Sequence, residues 1–150
     1  MKLRWKILLV ILAAVAFHWL EQRLQPCSIA TPVASLSTKD LQTAYTAFNE
    51  HYFGNQLPKD AEVDYGEYNP AYMGSTNTLP DGRFHIALNE LYVSGSRTAL
   101  LTILHEMCHE KVWNTETDAH GKRWRSCMLG LDAQGAFREQ LIDGYREKMP

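Results

Sequence analysis

His105-Glu106-Met107-Cys108-His109, with ten residues between it and His120-Gly121, is the stretch of this 150-residue chain on which both fold and chemistry turn. On a helix, residues four apart lie one turn apart on one face, so His105 and His109 can each aim a ring nitrogen at a single ion. Glu106 sits one step round that face, where it reaches the water a metal would hold rather than the metal itself. That is the position of a general base. Zinc lowers the pKa of such a water from about 15.7 to about 7, so the pattern predicts a metal-dependent hydrolase with one zinc. A catalytic zinc takes three protein ligands and keeps one position open, so a third ligand must come from outside the helix. Glu116, Asp118 and His120 are the candidates, on a chain that turns back after the helix ends near Trp113-Asn114. His120 is the strongest of them. It precedes Gly121, whose missing side chain lets the backbone approach closely, and a new apolar period that begins at Trp124. Glu116 or Asp118 could ligate instead, or orient a ligand histidine from behind.

The flanking sequence supplies the scaffold. The metal helix is expected from about Ser96, whose hydroxyl can cap it, to Trp113, with Leu100, Leu101, Ile103, Leu104, Met107 and Cys108 surrounding the ligand face with apolar area. Upstream, Ser37 or Thr38 caps a helix with Leu41, Ala44, Tyr45, Phe48 and Tyr52 at spacings of three and four, and Gly54 is placed to end it. This helix should pack on the back of the metal helix. Ala61 to Tyr68, Ala71 to Ser75 and Arg83 to Leu88 read as short strands broken by Asn69-Pro70 and Pro80-Asp81-Gly82, the last two forming a hairpin. In the third, Phe84, Ile86 and Leu88 enter the core and alternate with His85 and Ala87, and its edge is expected to be free. After His120, a helix through Trp124, Cys127, Met128 and Leu131 should hold the third ligand, with Trp124 under the site. A last helix, 133 to 147, carries Phe137, Leu141 and Tyr145 at spacing four.

Taken together, these elements resemble the SprT-like domain of zinc metallopeptidases, the group that includes the Spartan proteases. The resemblance rests on Tyr45, Phe48-Asn49, Tyr52-Phe53 and Leu57-Pro58, on Ile86-Ala87-Leu88-Asn89, on His105 to His109, and on His120-Gly121 followed by Trp124, and it spans roughly residues 38 to 131. It implies His105, His109 and His120 as zinc ligands and Glu106 as the catalytic carboxylate. It also implies a small α+β, zincin-like metalloprotease domain: an N-terminal helix, a short three-stranded sheet, a central HExxH helix and C-terminal helices. In such peptidases a strand beside the metal helix pairs with an extended substrate, so His85 could touch substrate, and a tyrosine or histidine often assists the oxyanion. Tyr65, Tyr68, Tyr72 and His85 are available for that role. The chain departs from the family where Lys122 follows the His-Gly pair in place of the usual Pro, and where the two cysteine pairs of a zinc ribbon are missing. Spartan-type relatives act on proteins crosslinked to DNA. Here the formal charge is -2, and Lys111, Lys122, Arg123 and Arg125 near the site are interleaved with Glu110, Glu116 and Asp118, so charge does not support a nucleic-acid surface.

Composition fits one domain over residues 38–150 plus an appendage, with 45% hydrophobic residues and no repeat. Three cysteines, Cys27, Cys108 and Cys127, argue against a disulfide framework and against a second structural zinc, and Cys108 reads as a small buried hydrophobe. Lys2, Arg4 and Lys6 precede an uncharged apolar run from Ile7 to Phe17, the mark of an export signal or membrane anchor over residues 1–24. As a helix, 7–20 reaches only about 21 Å against a hydrocarbon core of about 30 Å, which favours a cleaved signal peptide. Trp5 and Trp19 at its ends instead suit an anchor. Either version keeps the basic end in the cytoplasm and sends the zinc domain across the membrane, whereas the family resemblance implies a cytoplasmic protein. Residues 25–37, with Pro26 and Pro32, read as a linker.

The expected activity is hydrolysis of peptide bonds in a protein or peptide substrate by metal-activated water, with Glu106 as base and then proton donor. The alternative is a non-catalytic zinc-binding scaffold that acts through a partner at the membrane. Retention of Glu106 argues against it, because a structural zinc has no use for a base beside an open position.

Overall fold

The computed structural model describes residues 36–93 and 95–137. The expected signal or anchor over 1–24 and the linker over 25–37, apart from Leu36 and Ser37, lie outside these residues, as does the closing helix beyond Phe137. Of that last helix, the part described is a turn over 134–137 that follows directly on the preceding helix. Among the described residues no helix is long and apolar enough to cross a membrane.

Ser37 starts the first helix as the capping rule requires. Its hydroxyl accepts the Asp40 N–H at 3.3 Å while the Asp40 carboxylate accepts the Ser37 N–H at 2.9 Å, a reciprocal capping box for helix α1, Thr38–Phe53, and the Ser37 hydroxyl donates to the same carboxylate at 2.6 Å. The Ser37 hydroxyl, and then the Ser37 N–H, hold the Asp40 carboxyl below its ordinary pKa. Gly54, at φ 60, closes the helix in the left-handed conformation. The apolar stripe foreseen for α1 is buried throughout: Leu41, Ala44, Tyr45, Phe48 and Tyr52 all belong to the core. Each large side chain removed from water there contributes about 1.5–3 kcal/mol before entropy is counted.

Three strands follow: β1 Glu62–Asp64, β2 Gly74–Thr78 and β3 Phe84–Leu88. β2 and β3 form the expected antiparallel hairpin, and β1 pairs with β3 in parallel, giving the order β1-β3-β2. This corrects two expectations. β3 is the central strand, so its edges are both paired and cannot receive a substrate. The second strand lies three residues later than Ala71–Ser75, because Asn89 holds the preceding loop out of the sheet: its amide donates to the carbonyls of Asn69 and Tyr72 at 3.1 Å each. Among the described residues the edge strand on the hairpin side is therefore β2.

The second helix, α2, runs Ser96–Lys111 with Gly95 at its N-cap and no side-chain capping bond there, in place of a cap from Ser96. The chain turns at Asn114, whose φ is 56, where the helix was expected to stop. α2 packs on the sheet, on α1 and on the third helix, α3, Lys122–Ala133, and its Ile103, Leu104 and Met107 are fully buried. Cys108 on α2 and Cys127 on α3 form a disulfide. The expectation of a plain buried thiol is corrected here. The odd cysteine count concealed a pair, since α3 crosses α2 with the two residues facing each other.

Candidate active site

α2 brings His105 and His109 to one face, one turn apart, and the segment before α3 brings His120 to meet them. The Nε2 atoms of His109 and His120 each lie 3.2 Å from Nε2 of His105. Two nitrogens bound at 2.0–2.1 Å to one tetrahedral zinc lie about 3.3 Å apart, so the three rings are spaced as a shared ion requires. These three form the group of side chains able to hold a metal among the described residues. Burial, followed by the neighbouring imidazoles, pushes the His105 pKa down to about 3, and the same causes push His109 down to about 4. Both rings are neutral at pH 7, the form that offers a lone pair to a metal.

Each ring touches Trp124. His109 stacks on the indole with centroids 5.5 Å apart, and His105 and His120 meet it edge-on at 4.7 and 4.4 Å. The indole N–H points at the His105 carbonyl, 3.4 Å away. Trp124 is thus the floor foreseen under the site, and it fixes three ring orientations at once.

Glu116 and Asp118, the other candidates for third ligand, take different parts. The Glu116 carboxylate accepts the backbone N–H groups of Arg123 and Trp124 at 3.1 and 2.9 Å, capping α3 from outside the helix. A Cβ at residue 121 would come within 2.5 Å of that carboxylate, so Gly121 makes room for the cap rather than for the ion. Asp118 accepts the His120 N–H at 3.1 Å, and Arg125 donates to the His120 carbonyl at 2.8 Å. The backbone of His120 is held from both sides while its ring faces the other two.

Glu106 is 4% exposed, with Oε1 4.0 Å from Nε2 of His105. Burial raises its pKa to about 7, against the opposing hydrogen bond from Thr76 and with a smaller push from Glu67. The Thr76 hydroxyl lies 2.8 Å from Oε2 and 3.0 Å from the Glu106 backbone carbonyl. Thr76 pairs with Ile86 and so shares the sheet face that covers α2. Its role was not foreseen, because the second strand was ended at Ser75; the β-branched alternation Thr76, Thr78 was the signal for a strand reaching further. Gly74 permits the contact, since a Cβ there would lie 2.7 Å from the Thr102 methyl group and 3.3 Å from Glu106 Cγ.

A cleft opens over the three rings, walled by β2 at Gly74–Thr76 on one side and by Val112, Trp113 and the loop through Asp118 on the other. Of the four residues considered for the oxyanion, Tyr72 lines this cleft. Tyr65 instead donates to the Leu36 carbonyl at 2.9 Å, and His85 pairs with Asp64 at 3.0 Å on the far face of the sheet. Tyr68 projects into solvent, 87% exposed.

A family model described as the SprT-like family matches residues 41–143. No curated protein and no solved structure matches the sequence.

Proposed function

The chain belongs to the SprT-like family, and from that premise we propose that it is a zinc-dependent peptidase of zincin-like architecture. The observation that carries the proposal is the placing of a buried carboxylate beside three converged imidazoles at the bottom of an open cleft. His105, His109 and His120 would hold the zinc. Zinc bound there supplies Lewis acidity, lowering the pKa of water toward about 7 and polarising a substrate carbonyl.

The protein's own groups do the rest. Glu106, with a pKa near neutrality, takes a proton from the attacking water and passes it to the leaving amine. Thr76 holds Oε2, which leaves Oε1 turned toward the rings. Of the candidate donors to the oxyanion, Tyr72 is the one that lines the cleft. The open edge of β2 offers its backbone N–H and C=O groups to an extended polypeptide, which adds as a further strand. We further place this domain in an oxidising compartment. The Cys108–Cys127 disulfide is a second feature, independent of the basic and apolar amino terminus, that suits export.

The test is Glu106→Gln. It should keep about one zinc per chain and lose hydrolysis of an unfolded protein by about 10²- to 10⁴-fold. Equal cleavage by variant and wild type removes the peptidase reading. A wild type that holds zinc without cleaving unfolded proteins, with or without the variant, favours the scaffold instead.

A further inference from the structure

Among the described residues the large apolar side chains that remain exposed are Tyr68, Tyr72, Met73, Leu91, Tyr92 and Leu129. Five of the six come from two loops, 67–73 and 89–92, and Asn89 stitches those loops into one piece. Besides the two carbonyls its amide binds, its N–H donates to the Met73 carbonyl at 2.8 Å, its own carbonyl accepts from Tyr92 and Val93, and its side-chain oxygen accepts from Leu91 at 3.2 Å. Asn89 itself is 2% exposed. A buried asparagine with all these partners makes the loops rigid, so the side chains they carry are displayed before anything binds.

The platform is continuous with the cleft. Tyr72 belongs to both, and the platform loop runs directly into β2, an edge strand among the described residues. At about 3.3 Å per strand residue, a polypeptide paired along β2 beside Thr76 reaches Tyr72 after about four residues, roughly 13 Å. Glu67 and Glu90 stand on the same two loops, and Glu67 is close enough to act on the charge of Glu106. An aromatic surface bearing two carboxylates suits an apolar segment with neutral or basic neighbours, and it repels an anionic one.

We propose that this platform is an exosite for the substrate: it selects unfolded polypeptide that carries aromatic or large aliphatic residues about four or more positions from the scissile bond. The proposal rests on the peptidase reading, and it adds a substrate class to it. Exposed hydrophobic side chains mark unfolded chains, because folded proteins bury them. Edge pairing reads backbone alone, so a remote apolar site supplies the selectivity that β2 lacks.

The experiment compares binding and cleavage. Tyr68→Ser, Leu91→Ser and Tyr92→Ser are combined in the full chain, at residues outside the catalytic cleft. Labelled peptides of about 6 and about 16 residues, the longer with Phe and Leu beyond the fourth position, are titrated by anisotropy against Glu106→Gln protein with and without the triple change. The expected result is about tenfold weaker binding of the long peptide and no change for the short one. With Glu106 present, KM for the long peptide should rise by a similar factor while kcat holds. If both peptides change equally, or neither does, the exosite is refuted. If the triple variant instead loses association with phosphatidylcholine vesicles while binding the long peptide normally, the platform is a membrane seat and the proposal falls. A photoreactive group at position 91 that captures residues 7–20 of its own chain in preference to the peptide overturns it as well. Because binding is read without turnover, a failed exosite and a failed peptidase give different results.

Discussion

Two glutamates on one helix, a single turn apart, show how surroundings divide identical chemistry into different work. Glu106 and Glu110 are each 4% exposed, and burial raises each to a pKa of about 7. Glu106 opens on the cleft, with one hydroxyl on Oε2 and the imidazoles beside Oε1. Glu110, one turn further along, meets the first helix instead, where the Tyr45 hydroxyl lies 3.1 Å from both of its oxygens and 2.7 Å from the Pro58 carbonyl. Glu106 lines the cleft and Glu110 does not. A raised pKa therefore marks burial, and the open neighbourhood of Glu106 is what would make its proton useful in the proposed hydrolysis.

The largest effect expected from this contrast is a separation of activity from stability. Glu106→Gln should abolish most turnover, by about 10²- to 10⁴-fold, while Glu110→Gln leaves turnover per folded molecule within about twofold. Comparable losses in both would erase the distinction. Next comes the disulfide that holds α2 against α3. Cys127→Ser opens a loop closed across 19 residues and should cost about 3 kcal/mol in urea unfolding. It should also weaken zinc retention, because α3 carries the floor of the site. In the wild type, Cys108 and Cys127 should resist thiol labelling after unfolding until reductant is added.

A smaller effect belongs to the surroundings of Glu110. Tyr45→Phe removes the hydroxyl that lies between Glu110 and the Pro58 carbonyl, for a loss of about 1–3 kcal/mol. Glu110 also gives this region a pH dependence. The folded protein holds the Glu110 proton more tightly than the unfolded chain, where a glutamate has its ordinary value of 4.5, so its contribution is complete below about 4.5 and disappears as pH rises through about 7. Urea midpoints across that window should fall less steeply for Glu110→Gln than for the wild type. The smallest effect is at Thr76. Thr76→Val should lower kcat about tenfold by freeing the Glu106 carboxylate, with KM unchanged, and Thr76→Ser should restore it. A Ser variant as impaired as Val would make the residue a packing element.

The reach of the sequence follows the range of the forces involved. The α1 cap at Ser37, its stop at Gly54 and its buried stripe are local, and the residues specify them directly. The meeting of His105, His109 and His120 was legible because helical spacing supplies two rings and the turn before Trp124 supplies the third. What depended on pairing across the fold was not legible. The central position of β3, the contact of Thr76 with Glu106 and the bond from Cys108 to Cys127 are each made by elements distant in the chain. Glu116 shows the limit most clearly. From sequence it was a possible ligand, and its place as the cap of α3 appears only once the N–H groups of Arg123 and Trp124 are seen to need an acceptor.

The most direct test is the zinc content of wild-type and His120→Ala protein, purified without chelator and measured by elemental analysis. The account predicts about one zinc per wild-type chain and its loss on the substitution, since two imidazoles alone cannot retain the ion through purification. A metal-free wild type, or His120→Ala that keeps its zinc in full, would contradict it.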